Sequence, residues 1–155
     1  MSSRIDCEVV LTCSQLIDAL RIRVAVFIQE QGFSVGWEPD ETDKVAQHYI
    51  ASLDGCTVAT ARTYQSEPGK HKIERMAVLK PYRRKGIGTY LTLFIIADVK
   101  QRGAKQLWLN AQDHAVDFYE RCRFCVVSDV HFPCGVKVPH VTMEYLGDCD
   151  EKTSR

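Results

Sequence analysis

The chain is short of several things, and each shortage excludes a class. Its 155 residues carry 20 basic and 20 acidic side chains, so formal net charge is zero. No whole-molecule field therefore draws it to nucleic acid or to an anionic membrane. No apolar run approaches the ~20 residues of a bilayer span. The first residues, Met-Ser-Ser-Arg-Ile-Asp, lack the apolar core of a signal peptide, so a cytoplasmic protein is expected, with nuclear access left open. The seven cysteines are scattered and odd in number. They form no disulfide framework of the small secreted type and read as reduced thiols. Repeats, low-complexity tracts and linkers are absent. The expectation is one domain over residues 1–147, followed by a polar tail, 148–155. The hydrophobic share of 45% and charged share of 26% are those of an ordinary globular domain.

One cysteine cluster needs weighing. Cys122-x-x-Cys125 precedes His131, Cys134 and His140, which are zinc-ligand types. A single CxxC pair flanking Phe124 in an apolar run reads instead as thiols on strands and a turn, so no metal is expected.

The positive charge is local, at Lys80 to Lys85. Residues 83–89 read Arg-Arg-Lys-Gly-Ile-Gly-Thr, placing R-x-x-G-x-G after an apolar run and before a long apolar helix. Glycines allow a tight turn and close backbone approach. A helix beginning there directs unpaired N–H groups and a positive dipole end outward, a ready phosphate or pyrophosphate site. A solvated cationic turn, a nuclear-import patch or a nucleic-acid patch using Arg83 to Lys85 and Arg102 is the competing reading. A dinucleotide enzyme fits less well, because its glycine motif follows the first strand.

Periodicity places the other elements. Ile5 to Leu11 reads as a strand. Thr12-x-x-Gln15 resembles a capping box opening a helix that runs to about Gln31 and stops at Gly32. Residues 33–44 read as a loop. Strands are expected at Val45 to Leu53 and Thr57 to Tyr64, joined by the hairpin signal Asp54-Gly55, with a turn over Gln65 to Lys70. Lys72 to Leu79 is the fourth strand, which Pro81 breaks. Gly86 to Arg102 is a helix, Leu107 to Ala111 a strand, Ala115 to Arg121 a short helix, and Phe124 to Val130 and Val138 to Tyr145 the last strands. The order predicts an α/β (α+β) fold: a mixed, mostly antiparallel sheet of about seven strands with helices on both faces. Within it, strand 72–79, helix 86–102 and strand 107–111 form a right-handed parallel unit.

With its elements in this order, the chain resembles the GNAT superfamily of N-acetyltransferases over nearly its full length. Arg83-x-x-Gly86-x-Gly88 matches the family's Q/R-x-x-G-x-G/A, and Arg75 to Leu79 with Pro81 and Tyr82 resembles its entry strand. Gln112 through Ala115, Phe118-Tyr119 and Phe124 resemble its N-x-x-A-x-x-F-Y-x-x-x-G-F, with Gln112 for Asn and Arg123 for Gly. Arg123 leaves the course of the chain after the helix open. Val26 to Gly32, Asp40-Glu41-x-Asp43, His48, Ala111-Gln112 and Pro139-His140-Val141-x-Met143 resemble the small ElaA/YjcF-like branch.

The resemblance implies acetyl-CoA as co-substrate and an amine acceptor: a small amine, amino sugar, polyamine or protein amine. It implies that the backbone of Met76, Ala77 and Val78 pairs with the pantetheine arm and helps polarise the thioester. Arg83, Arg84, Lys85, Gly86, Ile87, Gly88 and Thr89 would meet phosphates, with Gln112 and Phe118 also on the CoA side. Tyr119 would be the general acid for the leaving thiolate; otherwise it is a core aromatic. Glu30, Glu74 and His140 are candidates for the base. Glu30 and His140 rank as acceptor-side residues and the base is unassigned. The loop bearing Trp37, Glu38, Asp40, Glu41 and Asp43 either borders the acceptor cleft, favouring a cationic amine, or is solvated and mobile. His48 reads as a satisfied sheet residue. No cysteine lies in a nucleophile motif, so direct transfer is expected, although seven thiols keep a covalent route open. The competitor from another class is a non-catalytic acyl-CoA-binding module. Nucleic-acid and membrane partners are not expected, and a homodimer is left open.

Overall fold

The computed structural model describes residues 2–133 and 136–147. The expected tail, 148–155, lies outside the described residues. Seven strands form one sheet: β1 (Ile5–Val9), β2 (Gln47–Leu53), β3 (Cys56–Glu67), β4 (Lys70–Val78), β5 (Gln106–Gln112), β6 (Phe124–Val126) and β7 (His140–Tyr145). Their order is β1-β2-β3-β4-β5-β7-β6, antiparallel throughout except for the parallel pair β4–β5. Helix α1 (Cys13–Arg23) covers one face. Helices α2 (Ile87–Gln101) and α3 (Val116–Arg121) cover the other. The main core lies under α2, where Leu91, Ile95 and Val99 meet Tyr49, Ala61 and Leu109. None of the described helices is long and apolar enough to cross a membrane.

Local chemistry explains the boundaries. Gln15 N–H donates to Thr12 Oγ1 and Thr12 N–H to Gln15 Oε1 (3.2 and 3.1 Å), the reciprocal capping that opens α1. The helix continues past Arg23 over Val24–Glu30 with wider turns, as in Gln31 N–H to Val26 O (3.0 Å), and leaves at Gly32. Asp54 and Gly55 both take positive φ (49° and 87°), the geometry a tight hairpin demands. Several strand ends differ from expectation, four of them by local chemistry. β3 runs on to Glu67 and β4 begins at Lys70, so the turn shrinks to Pro68-Gly69; the polar Gln65-Ser66-Glu67 carries no periodic signal. β6 ends at Val126 rather than Val130, because the Ser128 hydroxyl accepts the Thr142 N–H (2.8 Å) that a continuing ladder would use. β7 starts at His140, after Pro139.

Arg123, in the place of the family's glycine, takes φ +70°. The chain thus makes the glycine-like turn with an L side chain, at a cost of roughly 1 kcal/mol. Arg123→Gly is expected to stabilise the fold by about 0.5 kcal/mol, once glycine's greater unfolded-state freedom is deducted. Chemical denaturation checks this, and a destabilised variant would show that the Arg123 side chain matters more than its backbone.

The feature that positions the site is a break in the sheet. Arg62 pairs with Glu74 but Thr60 pairs with Ala77, so β4 carries one extra residue between them. Arg75 there has φ +54°. A bulge of this kind bends and twists its strand. β4 pairs with β5 only from Lys70 to Ile73, opposite Gln106 to Leu109. Beyond that point the two strands part, and a V-shaped opening forms at their carboxyl ends.

Candidate active site

The opening widens into a cleft of about 1230 Å³. Leu79 N–H donates to Val58 O on β3 (2.9 Å). Strand alternation therefore turns the peptide groups of Met76 and Val78 to the other edge, toward the cleft, where β5 no longer pairs with them. The chain then turns through Pro81 and Tyr82, with Arg84 (φ 61°) and Gly86 (φ 81°) left-handed. α2 starts at Ile87 with no side chain capping its first N–H groups. A Cβ at Gly88 would sit 3.3 Å from Phe118 Cζ, so glycine there lets α2 and α3 approach at the cleft wall. Strand end, phosphate-type turn and helix start thus share one opening.

Every expected site residue except Lys85 lines this cleft. Lys85 is exposed, with Nζ 6.0 Å from the Tyr82 ring centroid. The sequence places Arg83 with the phosphates and Glu30 with the acceptor, but here they hold each other. Arg83 Nη1 and Nη2 donate to Glu30 Oε2 and Oε1, both at 2.6 Å, and Arg83 Nε donates to Val78 O at 2.9 Å. The Arg83 bond keeps the Glu30 carboxyl below the usual range. Beside this pair, Gln112 Nε2 donates to Gln31 Oε1 (3.1 Å), tying the end of β5 to the chain that follows α1.

Tyr119 is buried at the cleft wall, edge-on to Phe118 (4.9 Å) and Phe124 (5.8 Å). Burial pushes its phenol above the ordinary tyrosine value. His140 is also buried, with Nδ1 2.7 Å from Val138 O. A carbonyl can only accept, so Nδ1 carries the proton and Nε2 is the ring's acceptor. Burial is the largest influence on this ring and lowers its pKa, so the neutral form prevails. Glu74 is a poorer base than the sequence allows. Its oxygens are held by Arg62 (2.6 Å) and Lys72 (2.8 Å), which outweigh burial and lower its pKa.

The acidic segment 33–44 is pinned rather than mobile. Glu38, Asp40 and Asp43 turn inward against arginines that sequence reasoning left as ordinary helix and strand positions, whereas Glu41 is exposed and pairs with Lys44 (2.7 Å). Arg23, 1% exposed, pairs with Glu38 and with Asp43 (2.7 Å). Arg62, also 1% exposed, pairs with Asp40 (2.5 Å), Asp43 (2.7 Å) and Glu74. Arg75 pairs with Glu38 (2.6 Å) and Asp40 (3.0 Å) and lies over the Trp37 ring, whose indole also stacks on Phe33. These contacts hold the strained backbone at Arg75. With Lys72, four cations balance Glu38, Asp40, Asp43 and Glu74, so the cluster is neutral. A charged residue directly after the small, mostly apolar run Val58 to Ala61 was the available signal for Arg62. His48 Nε2 lies 3.1 Å from Asp43 O, but its buried Nδ1 has no hydrogen-bond partner among the described residues, so the ring expected to be satisfied is only half so. Cys7, Cys13, Cys56, Cys122 and Cys125 are unbridged thiols. Among the described residues no group of three or more His, Cys, Asp or Glu is placed to hold a metal; Cys134 lies outside them.

The chain matches the family described as "Acetyltransferase (GNAT) family" over residues 17–124. It is 33% identical over 129 residues to the protein named "Uncharacterized N-acetyltransferase YjcF" of Bacillus subtilis, covering 83% of this chain and 91% of that one. The crystal structure of Escherichia coli ElaA superposes with a TM-score of 0.80 at 26% identity, covering 92% and 99% of the two chains. A Bacillus subtilis acetyltransferase solved in complex with CoA shares the fold, with a TM-score of 0.67 at 18% identity over 92% and 98%. The split sheet, the glycine turn and these likenesses agree: the chain belongs to the GNAT family of acetyltransferases and is an acyltransferase enzyme.

Proposed function

We propose that the cleft transfers an acetyl group from acetyl-CoA directly to a primary amine within a ternary complex. The observation that carries this reading is the pair of outward-facing peptide groups at Met76 and Val78, opening beside the uncapped start of α2. An extended pantetheine arm would pair there as an added strand, which places its phosphates at Arg84 to Thr89. The turn's N–H groups and the Arg84 guanidinium would hold them. With Arg83 held by Glu30 and Val78 O and Lys85 outside the lining, the first hold on the phosphates falls mainly on the backbone.

Two side chains suit the proton transfers. A lysine-like amine is only ~0.04% neutral at pH 7, a penalty of roughly 4 to 5 kcal/mol. His140, neutral with an accepting Nε2, is suited to receive that proton. The N–H of Val78 or Met76 is suited to stabilise the oxyanion. Tyr119, protonated through the neutral range, is suited to protonate the departing thiolate. The acceptor side is a mixed wall of Phe33, Trp37 and the neutralised ion cluster, opposite Pro133, Val136 and Val138. Small amines, amino sugars, polyamines and protein amines remain the candidate acceptors.

The test is release of free thiol from acetyl-CoA over a panel of amines spanning pKa, with intact-protein mass recorded alongside. Amine-dependent thiol release with unchanged protein mass is the expected result. CoA binding without turnover across the panel would favour a binding module, and a mass gain of one acetyl group a covalent route.

A further inference from the structure

Among the described residues three carboxylates line the cleft: Glu30, Asp40 and Glu74. Two are locked. Asp40 is held by Arg62 and Arg75, and Glu74 by Arg62 and Lys72. Glu30 differs, because its partner Arg83 opens the phosphate-type turn itself. The pair is partly solvated, with side-chain exposures of 37% for Arg83 and 32% for Glu30. Glu30 also stands at the carboxyl end of the helical segment, where a negative charge opposes the dipole. The helix therefore does not favour it there, and the charges that do are Arg83 and, beyond it, Lys80.

The third Arg83 contact bears on the same competition. Its Nε takes Val78 O, the carbonyl that β5 no longer reaches and that an added strand would use. One guanidinium thus serves a carbonyl that a pantetheine amide would bond and a carboxylate that mimics a phosphate's two oxygens.

We propose that Arg83 is an exchangeable partner: acetyl-CoA takes over Val78 O and draws Arg83 to its phosphates, and Glu30 is thereby released to receive the ammonium group of the acceptor. This inference rests on the proposed acetyl transfer. It makes addition ordered, acetyl-CoA first, and it selects cationic amines. Among the described residues, a carboxylate freed beside neutralised neighbours is the one unmatched negative charge on the acceptor side, while the neutral His140 remains to take the proton. By reciprocity, whatever Glu30 costs CoA binding is what CoA gains for the amine.

The test is a double-mutant cycle read by calorimetric titration of CoA into wild type, Glu30→Gln, Arg83→Gln and the double variant, with steady-state kinetics on the best amine of the panel. Glu30→Gln is expected to tighten CoA by roughly fivefold, at the low end of usual couplings. The gain should vanish when Arg83 is already Gln. The amine KM should rise by roughly tenfold, the size of a lost charge-assisted contact, with kcat little changed. CoA affinity that stays or falls in Glu30→Gln would make the pair a structural strut and overturn the proposal. So would a gain that persists without Arg83, which is simple repulsion between Glu30 and phosphate, or a fall in kcat at constant KM. Wild-type protein that binds no CoA would instead overturn the acetyl-transfer reading beneath it.

Discussion

Tyr119→Phe is expected to lower kcat by roughly a hundredfold, the scale of a lost general acid, while the dissociation constant of CoA stays within about twofold. The substitution removes one oxygen and leaves the ring, which Phe118 and Phe124 hold edge-on from two sides. Phenylalanine fills the same place, so the fold and the cleft wall persist. Burial has raised the phenol's pKa, so it enters the reaction protonated. A raised pKa also makes it a weaker acid, which would disfavour a donor were the acceptor unchanged. A thiolate leaving into the same low-dielectric wall is itself more basic than the ~8.5 of a thiol in water, so the two groups shift together. Single-turnover thiol release separates this from a product-release effect. Unchanged turnover in the variant would reduce Tyr119 to a packing residue.

Much of this was legible from residue order. The capping box at Thr12 and the Asp54-Gly55 hairpin are local devices whose chemistry lies within four residues, and both stand as read. The glycine turn was equally local, and its place after the fourth strand pointed to CoA. Most of the misplaced features depend on distant partners. The turn read at 65–70 shrinks to Pro68-Gly69 because Gln65 and Glu67 pair with His71 and Lys70, a local exception, whereas β6 stops early because Ser128 intercepts the N–H of Thr142, 14 residues away in sequence. The pinning of the acidic segment was not legible, because its arginines stand 15 to 37 residues away. Arg83 and Glu30 both line the cleft, but their mutual bond spans 53 residues, and no short motif encodes it. Arg75 is the instructive case. Its positive φ splits the sheet and so creates the site, yet that conformation is held by Glu38, Asp40 and Trp37 rather than by its neighbours in sequence.

The same cluster carries the largest expected effect on stability. Arg62→Met leaves Asp40, Asp43 and Glu74 without the guanidinium that each of them contacts. Removing one member of a buried ionic group typically costs about 3–5 kcal/mol, which here corresponds to a melting temperature lower by about 10 °C. The pH dependence identifies the cause. Burial alone would raise Asp43, but hydrogen bonds from Arg23, from the Asp40 backbone and from Arg62 hold it well below the ordinary aspartate value. Asp40 and Glu74 are lowered too. Groups with depressed folded pKa values stabilise above their unfolded values and lose that contribution as pH falls through the folded ones. The gap between wild type and Arg62→Met should therefore be full at pH 7 and narrow below about pH 4, where carboxylates protonate. Urea unfolding at both pH values measures it. A gap independent of pH would assign the loss to packing of the Arg62 stem, and no gap at pH 7 would remove the cluster as the support of segment 33–44. Because Arg75 and Trp37 rest on that segment, the expected loosening reaches the acceptor wall as well, and the amine KM should rise in the same variant at temperatures where it is still folded.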